Sequence, residues 1–524
     1  MLQKILPFLA IFIFGNALAQ FPNILIHDTG NPKETSIAIN PKNTNQLVAG
    51  ANGDNFYTSH DGGHTWLTGK LTSPYGVWGD PCLIADTSGN FYFSHLSNTS
   101  FWEGWLDRIV IEKSTDGGIT WNGGTYTGLN SPKHQDKPWM AFDAAPLSPY
   151  RGNLYIAWTE FDNYGSNDPQ NRSRILFSTS HDATESWTNP VVVSEMTGDC
   201  IDSDNTAEGA VPAIGPHGEV YLSWSLNDTI WFDRSTDGGA TWLVKDIFAT
   251  TQPGGWNFNV PGIFRCNGFP VTACDLSGGP FHGTIYINFS DQGNGETDTD
   301  VFLIKSTDGG NTWSVPVRVN NDAPGRHNFF TWMTIDQASG VIYTVFYDRR
   351  GHADEWTDVF MAYSTDGGES FTNVKISDAA FWPSASHFFG DYTGIAVHEG
   401  NIHPIWTRQE PDGKTSIWTV VLDYPVGVNS ANFFSLQTNL QNRPNPFFGK
   451  TKITFNTAVR QSLTLTLHDL TGQRVAEVFR NKKFDNGAHE VEFDNGIFRL
   501  KPGMYFLKIT NGQTSESCKM VVVE

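Results

Sequence analysis

The chain has 524 residues, with 55 acidic against 34 basic side chains and a formal net charge of −21. That length asks for two or more domains, and that charge argues against nucleic-acid binding, which needs a basic face. Composition (18 Trp, 37 Phe, 51 Gly) is that of an all-β protein with many turns and aromatic contacts between its repeats.

Residues 1–19 read as a signal peptide. Lys4 supplies the positive end, Ile5 to Phe14 the apolar stretch, and Ala17-Leu18-Ala19 the small-x-small cleavage site. The apolar run is too short for a helix that spans a bilayer, and no later run is longer. Export without a transmembrane segment is the expectation. Five cysteines follow; Cys266 with Cys274 is one candidate disulfide, Cys200 with Cys266 a competing one, and Cys82 reads as a buried thiol.

A short stretch then recurs. Ser-Thr-Asp-Gly-Gly-x-Thr-Trp stands at Ser114–Trp121, Ser235–Trp242 and Ser306–Trp313, with variants at Ser59–Trp66 and Ser364–Phe371. A worn copy, Ser180–Trp187, keeps Ser, Asp and Trp but loses the glycines. The copies fall at intervals of roughly 55 to 70 residues, a repeat architecture. Ser and Asp side chains accept hydrogen bonds from backbone N–H groups a few residues on and fold a tight turn. The glycines supply positive φ, and the closing Trp is placed to bury between repeats.

Each copy is preceded by an apolar strand, a short turn, a second strand, a loop and a third strand. With the turn leading into a fourth strand, each unit is a four-stranded blade. First strands begin seven times, from Ser36 to Thr393, and the seventh unit lacks a fourth strand. Asn23–His27 is the segment free to supply it and close the ring. The pattern thus predicts a seven-bladed propeller over residues 20–424, with six blades as the alternative.

These turns resemble the Asp-box of the sialidase-type β-propellers. The resemblance implies turns on the outer rim, away from the ligand face, and a glycan-active protein, with a sialidase-like glycoside hydrolase of acidic sugars as the leading function. Seven-bladed Asp-box relatives include polysaccharide lyases of uronic-acid polymers, which makes a lyase one alternative; a non-catalytic propeller binding glycans or glycoproteins is the other. The Arg-Ile-Pro motif of sialidases has no counterpart at the start of this chain, which reads Phe21-Pro22-Asn23-Ile24.

After a linker at 425–439, residues 440–524 read as alternating strands of a small Ig-like β-sandwich. The entry Asn442-Arg443-Pro444-Asn445-Pro446-Phe447, the turn Asp469-Leu470-Thr471-Gly472-Gln473 and Gly503-Met504-Tyr505 resemble the C-terminal sorting domain of type IX secretion in Bacteroidetes-type bacteria. That implies the type IX machinery as a partner and a secreted or outer-membrane surface location.

In a propeller the ligand face collects loops before each first strand and after each second strand. Glu34, Asp80, Asp136 with Lys137, Glu208, Arg326 with His327, and His387 with Asp391 and Tyr392 precede first strands. His95, Glu160 with Asp162, Asp291, Asp348-Arg349-Arg350 and Arg408 follow second strands. Sialidases clamp a carboxylate with three arginines and use a Tyr–Glu nucleophile and an Asp acid/base. That resemblance nominates Tyr392 as nucleophile, Glu160 or Glu208 as its base and Asp80 or Asp136 as the acid. Arg326, Arg349 or Arg350, and Arg408 are nominated as the clamp, since guanidinium groups suit bidentate carboxylate recognition; His327 and Asp391 lie beside it. For a lyase, Tyr392, His327 or His95 would be the base and Arg349 would neutralise the uronate. No cofactor is required by this chemistry. Two acidic loops, Asp199–Glu208 and Asp291–Asp300, offer oxygen ligands to a structural Ca2+, and no catalytic metal is expected.

Overall fold

The computed structural model describes residues 21–99, 106–423, 440–457, 461–469, 473–485, 487–510 and 515–523. The expected leader, and the linker at 425–439, lie outside them. The chain divides into two compact units, Met1–Tyr424 and Pro425–Glu524.

In the first unit the described residues form six four-stranded antiparallel sheets and one five-stranded, each numbered here as a blade. The innermost strands are Ser36–Ile39, Gly79–Ala85, His134–Phe142, Glu208–Ile214, Val271–Cys274, Asn328–Asp336 and Gly394–His398. They pack side by side around one axis, the seventh meeting the first. Ile24–His27 pairs antiparallel with Thr415–Thr419 and becomes the outer strand of blade 7. The unit is therefore a seven-bladed β-propeller closed by its own N-terminal strand, which removes the open edge. A hairpin of Asn257–Phe258 and Cys266–Asn267 is inserted between blades 4 and 5.

The recurring Ser-x-Asp turns share one hydrogen-bond pattern. In the first, Ser59 Oγ donates to Asp61 Oδ1 at 2.9 Å, and Gly63 N donates to Ser59 Oγ at 2.9 Å. Thr65 N and Oγ1 donate to the two Asp61 oxygens. The worn copy folds the same way, with Ala183 and Thr184 at φ 58° and 78° where the others have glycines. The closing tryptophans pack on neighbouring blades: Trp242 lies 4.9 Å from Phe177 and Trp313 5.0 Å from Phe232, between ring centroids. The turns join third to fourth strands, so they lie at the end of the propeller opposite the N-terminal ends of the inner strands.

All five cysteines are free thiols, which corrects the disulfide expectation. Cys266 lies in the inserted hairpin, whereas Cys274 ends the inner strand of blade 5. Cys82 is buried, receives the Met140 N–H at 3.3 Å, and has its thiol pushed up to about 12 by desolvation.

The second unit has one sheet of Gln441–Arg443, Lys450–Thr457 and Gly487–Asp494. The other comprises Arg474–Phe484, Gln461–His468, Gly503–Thr510 and Ser515–Val522. Ile453, Phe455, Leu465, Leu467, Phe493, Leu507 and Ile509 fill its core. Alternate residues point inward, as the strand period of two requires.

Candidate functional site

The N-terminal ends of the inner strands are bent in the same way. Strand register is interrupted between Gly79 and Cys82, Asp136 and Trp139, Glu208 and Val211, and Phe329 and Trp332. The residue inside each interruption has left-handed backbone: Asp80 (φ 51°), Lys137 (49°), Gly209 (86°) and Phe330 (51°). Glu34, before the inner strand of blade 1, is at 56°. A bulge re-aims its side chain, and Pro81 and Pro138 fit there because a bulge leaves an N–H unpaired. Non-glycine residues held at positive φ are strained and are a recognised mark of functional sites.

The bulges gather charge on the axis. Lys137 Nζ lies 2.8 Å from Asp391 Oδ2, and Arg265 Nε donates to Asp391 Oδ1 at 2.8 Å. Arg265 Nη1 also donates to Asp202 Oδ2 at 3.2 Å, and Tyr164 OH donates to the same oxygen at 2.9 Å. Asn267 Nδ2 holds the Asp391 carbonyl at 2.8 Å. Asp80 and Asp136 stand at the bulges of neighbouring blades, and the Asp80 carboxylate adds to the burial that raises Asp136. Asn52 Nδ2 donates to Glu34 Oε2. Glu208 is fully buried and neither of its carboxylate oxygens receives a hydrogen bond.

These environments split the carboxyl groups. Desolvation raises Glu34, Asp136 and Glu208 well above the usual carboxylate range, with neighbouring carboxylates adding to it. Lys137 and Arg265 outweigh burial at Asp391 and hold it down at about 2. Tyr392 is raised by burial and by Asp80, Glu34, Asp391 and Asp136 around it.

A cavity of about 190 Å3 opens above this layer, lined by Lys137, Asp202, Trp256, Arg265, Phe269 and Asp391 among others. Below, Tyr392, Trp139 and Trp332 form an aromatic floor, with ring centroids 5.9 to 6.4 Å apart. Beneath the floor an apolar tunnel of about 480 Å3 continues between the inner strands.

Of the sequence candidates, Tyr392, Asp80, Asp136, Glu208 and Asp391 therefore meet on the axis. Glu160 does not. It is held on blade 3 by Lys133 (2.9 Å), Arg174 (2.7 Å) and Asn130 (2.8 Å), too fully bonded to serve Tyr392 as a base. Arg408 lies at the closure seam, bonded to Asp378 and Asn23 and stacked on Trp418. Arg350 is tied to Asp348, Asn321 and Asn373. Arg326, His327 and Arg349 lie on blade 6 and Arg408 on blade 7, and Arg350 and Arg408 are each paired with a carboxylate of the chain. His95 is buried within blade 2, 3.4 Å from Glu112.

Arg349 differs from Arg350 and Arg408, which are paired with carboxylates. Its guanidinium donates to Thr357 Oγ1 and the Pro261 carbonyl, Nη2 is buried without a partner, and desolvation lowers it to about 10. Desolvation and the nearby Arg349 push His327 down to about 4.

Arg265 and Asp202 were not among the sequence candidates. Asp202 sits in one of the two acidic loops read for Ca2+; Arg265 comes from the inserted hairpin, which belongs to no blade repeat. The acidic loops are bonded to the chain itself: Asp199 receives Thr206 Oγ1 of its own loop, and Asp300 receives Arg318 and Asn320 from farther along blade 5. Among the described residues no three His, Cys, Asp or Glu side chains converge as a metal's ligands.

Residues 443–524 match the secretion system C-terminal sorting domain. The second unit is thus a type IX sorting tail, and the protein is secreted or displayed at the cell surface. Among the described residues no helix is long and apolar enough to cross a membrane. No curated protein matches the chain. Among solved structures, the NanB sialidase of Streptococcus pneumoniae is similar at 10% identity and TM-score 0.43, over 72% of this chain and 83% of that one. An ulvan lyase is similar at 12% identity and TM-score 0.46, over 77% and 96%. An α-L-arabinanase of Penicillium chrysogenum is similar at 14% identity and TM-score 0.40, over 76% and 97%.

Proposed function

We propose that the protein is an exported glycan-active enzyme of the Asp-box propeller kind, and that it cleaves glycosidic bonds at the N-terminal end of the propeller axis. The observation that carries this reading is the gathering of Glu34, Asp80, Asp136 and Asp391 around Tyr392 on the axis. Burial, with neighbouring carboxylates, raises Asp136 well above the usual carboxylate range and keeps it an acid. Its proton is available to the glycosidic oxygen as the C–O bond breaks, and water completes the hydrolysis. Tyr392, among carboxylates that keep its proton on, serves as a hydrogen-bond donor to the sugar. Trp256 and Phe269 supply apolar faces for a ring. The acidic-sugar preference expected of a sialidase is not carried forward, because Arg350 and Arg408 are each already held by a carboxylate of the chain.

The test is incubation of the mature protein with a panel of neutral, amino and acidic glycans, reading released reducing ends. Asp80→Asn and Asp136→Asn, each checked for folding, should lower turnover at least about a hundredfold, the usual contribution of a general acid. Silence across the panel from folded protein would remove the enzymatic reading and leave a binding propeller.

A second reading rests on blade 6. A guanidinium without a carboxylate partner (Arg349) beside a neutral imidazole (His327) is what uronate elimination asks for: one neutralises the carboxylate, the other takes the proton. Ultraviolet-absorbing products, lost in Arg349→Lys and His327→Ala, would move the assignment there.

A further inference from the structure

The charges that line the axial cavity cancel. Among the described residues its charged walls are Lys137, Arg265, Asp202 and Asp391, two cations and two carboxylates. Each is already paired. Arg265 spends Nε and Nη2 on the two oxygens of Asp391, and Nη1 on Asp202 Oδ2 at 3.2 Å. Lys137 Nζ lies 2.8 Å from Asp391 Oδ2, and both of these side chains are almost wholly buried. A charged ligand would have to draw one of these groups from its partner, and parting a buried ion pair is strongly unfavourable.

What the cavity leaves open is hydrogen bonding. An ammonium has three N–H groups, and Lys137 spends one of them on Asp391. Asp202 takes Arg265 and Tyr164 on Oδ2, which leaves Oδ1 as an acceptor. The exposed Asn257 amide holds the Asp202 carbonyl at 3.4 Å through one N–H and keeps its other N–H and its oxygen. Beside these groups stand the buried rings of Trp256 and Phe269, 4.7 Å apart between centroids. A few convergent polar groups against apolar and aromatic walls is the make-up of a ligand site. The cavity of about 190 Å3 holds the volume of about six waters, a space for one small ring and not for a chain. A sugar hydroxyl donates and accepts at once, so a ring bearing several meets these openings without breaking an ion pair.

We propose that the axial cavity seats one uncharged sugar unit, read by its hydroxyl groups through Lys137, Asp202 and Asn257, and that it discriminates against sugars of either charge. This rests on the reading of the protein as glycan-active. It deepens that reading, since the sialidase-like turns suggest an acidic substrate whereas the cavity's own charges are spent on one another.

Calorimetric titration of the mature chain tests it with tetrasaccharides of glucose, galactose and mannose, each set against its uronate and its amino-sugar counterpart of the same linkage. At least one neutral tetrasaccharide should bind, and both of its charged counterparts about tenfold or more weakly. Its affinity should not change between about 0.05 and about 0.5 M salt, because no ion pair forms with the ligand. Asn257→Ala should weaken it about two- to tenfold, the range of a neutral hydrogen bond. Asp202→Asn leaves one positive charge in excess and should shift preference toward the uronate about tenfold. Asp202 is 21% exposed and at φ 61°, a conformation that Asn adopts readily, so this variant should fold. Equal or tighter binding of a charged counterpart, a steep loss with salt, or an unchanged preference in folded Asp202→Asn would overturn the neutral-sugar inference while leaving the glycan reading in place. Failure of every tetrasaccharide to bind or be cleaved would overturn both.

Discussion

The Lys137 ammonium on blade 3 lies 2.8 Å from the Asp391 carboxylate before blade 7, joining residues 254 positions apart across the propeller axis. Both groups are almost wholly buried. Removing one partner of such a pair leaves an uncompensated charge in low dielectric. Lys137→Met, which leaves Asp391 with Arg265 alone, should destabilise the propeller by about 3 kcal/mol. Urea unfolding followed by tryptophan fluorescence reads it; an unchanged midpoint would show that Arg265 suffices.

Glu208→Gln should act in the opposite direction on stability. It replaces a buried carboxyl group without donors by a neutral amide, and should stabilise the propeller by about 1 kcal/mol. Urea unfolding midpoints read it, and a lowered midpoint would show that the site accommodates the carboxyl group better than the amide.

Stability should fall between mildly acidic and neutral pH. Burial raises Asp233 to about 7, and Asp246, Asp291 and Asp348 to about 6. Unfolded aspartates titrate near about 4, so between those values the folded state binds more protons and loses stability as pH rises. In the other direction, Asp61, Asp308 and Asp391 are held at about 2. Their contribution is present above the unfolded value and is lost as pH falls from about 4 through about 2. The stability maximum should lie near about pH 4 to 5. Denaturation midpoints across that range check it, and a maximum above neutrality would contradict the burial of these acids.

The worn turn offers a stabilising change. Ala183 sits at φ 58° where the other turns have glycine. A left-handed conformation costs a non-glycine residue about 1 kcal/mol, so Ala183→Gly should raise the thermal midpoint. No gain would mean that the lost methyl contacts matter as much as the strain.

Arg408 separates seam from site. Its guanidinium holds Asp378 at 2.7 Å and stacks 4.1 Å above the Trp418 ring, beside the closing strand. Arg408→Ala should destabilise the propeller by about 1 to 2 kcal/mol and leave glycan affinity unaltered. Lost binding in a folded variant would return Arg408 to the ligand face.

Local patterns carried the propeller. A Ser-x-Asp turn is made by hydrogen bonds within seven residues, and a strand announces itself by alternation, so the blades, the closing role of Asn23–His27 and the tail with its Asn442–Phe447 entry were legible in the amino-acid order. The inner-strand rule also pointed to Asp80, Asp136, Glu208, Asp391 and Tyr392. Tertiary structure decided which charges meet. Glu160 and Arg408 obey the same loop rule, yet each found a partner on its own blade or at the seam. Arg265 arrives from a hairpin outside the repeat, where no periodicity could announce it. Whether a carboxyl group is paired or stands alone depends on distances across the axis between residues far apart in sequence. Coulomb energy and desolvation are set by those distances and by burial, neither of which is written in local order.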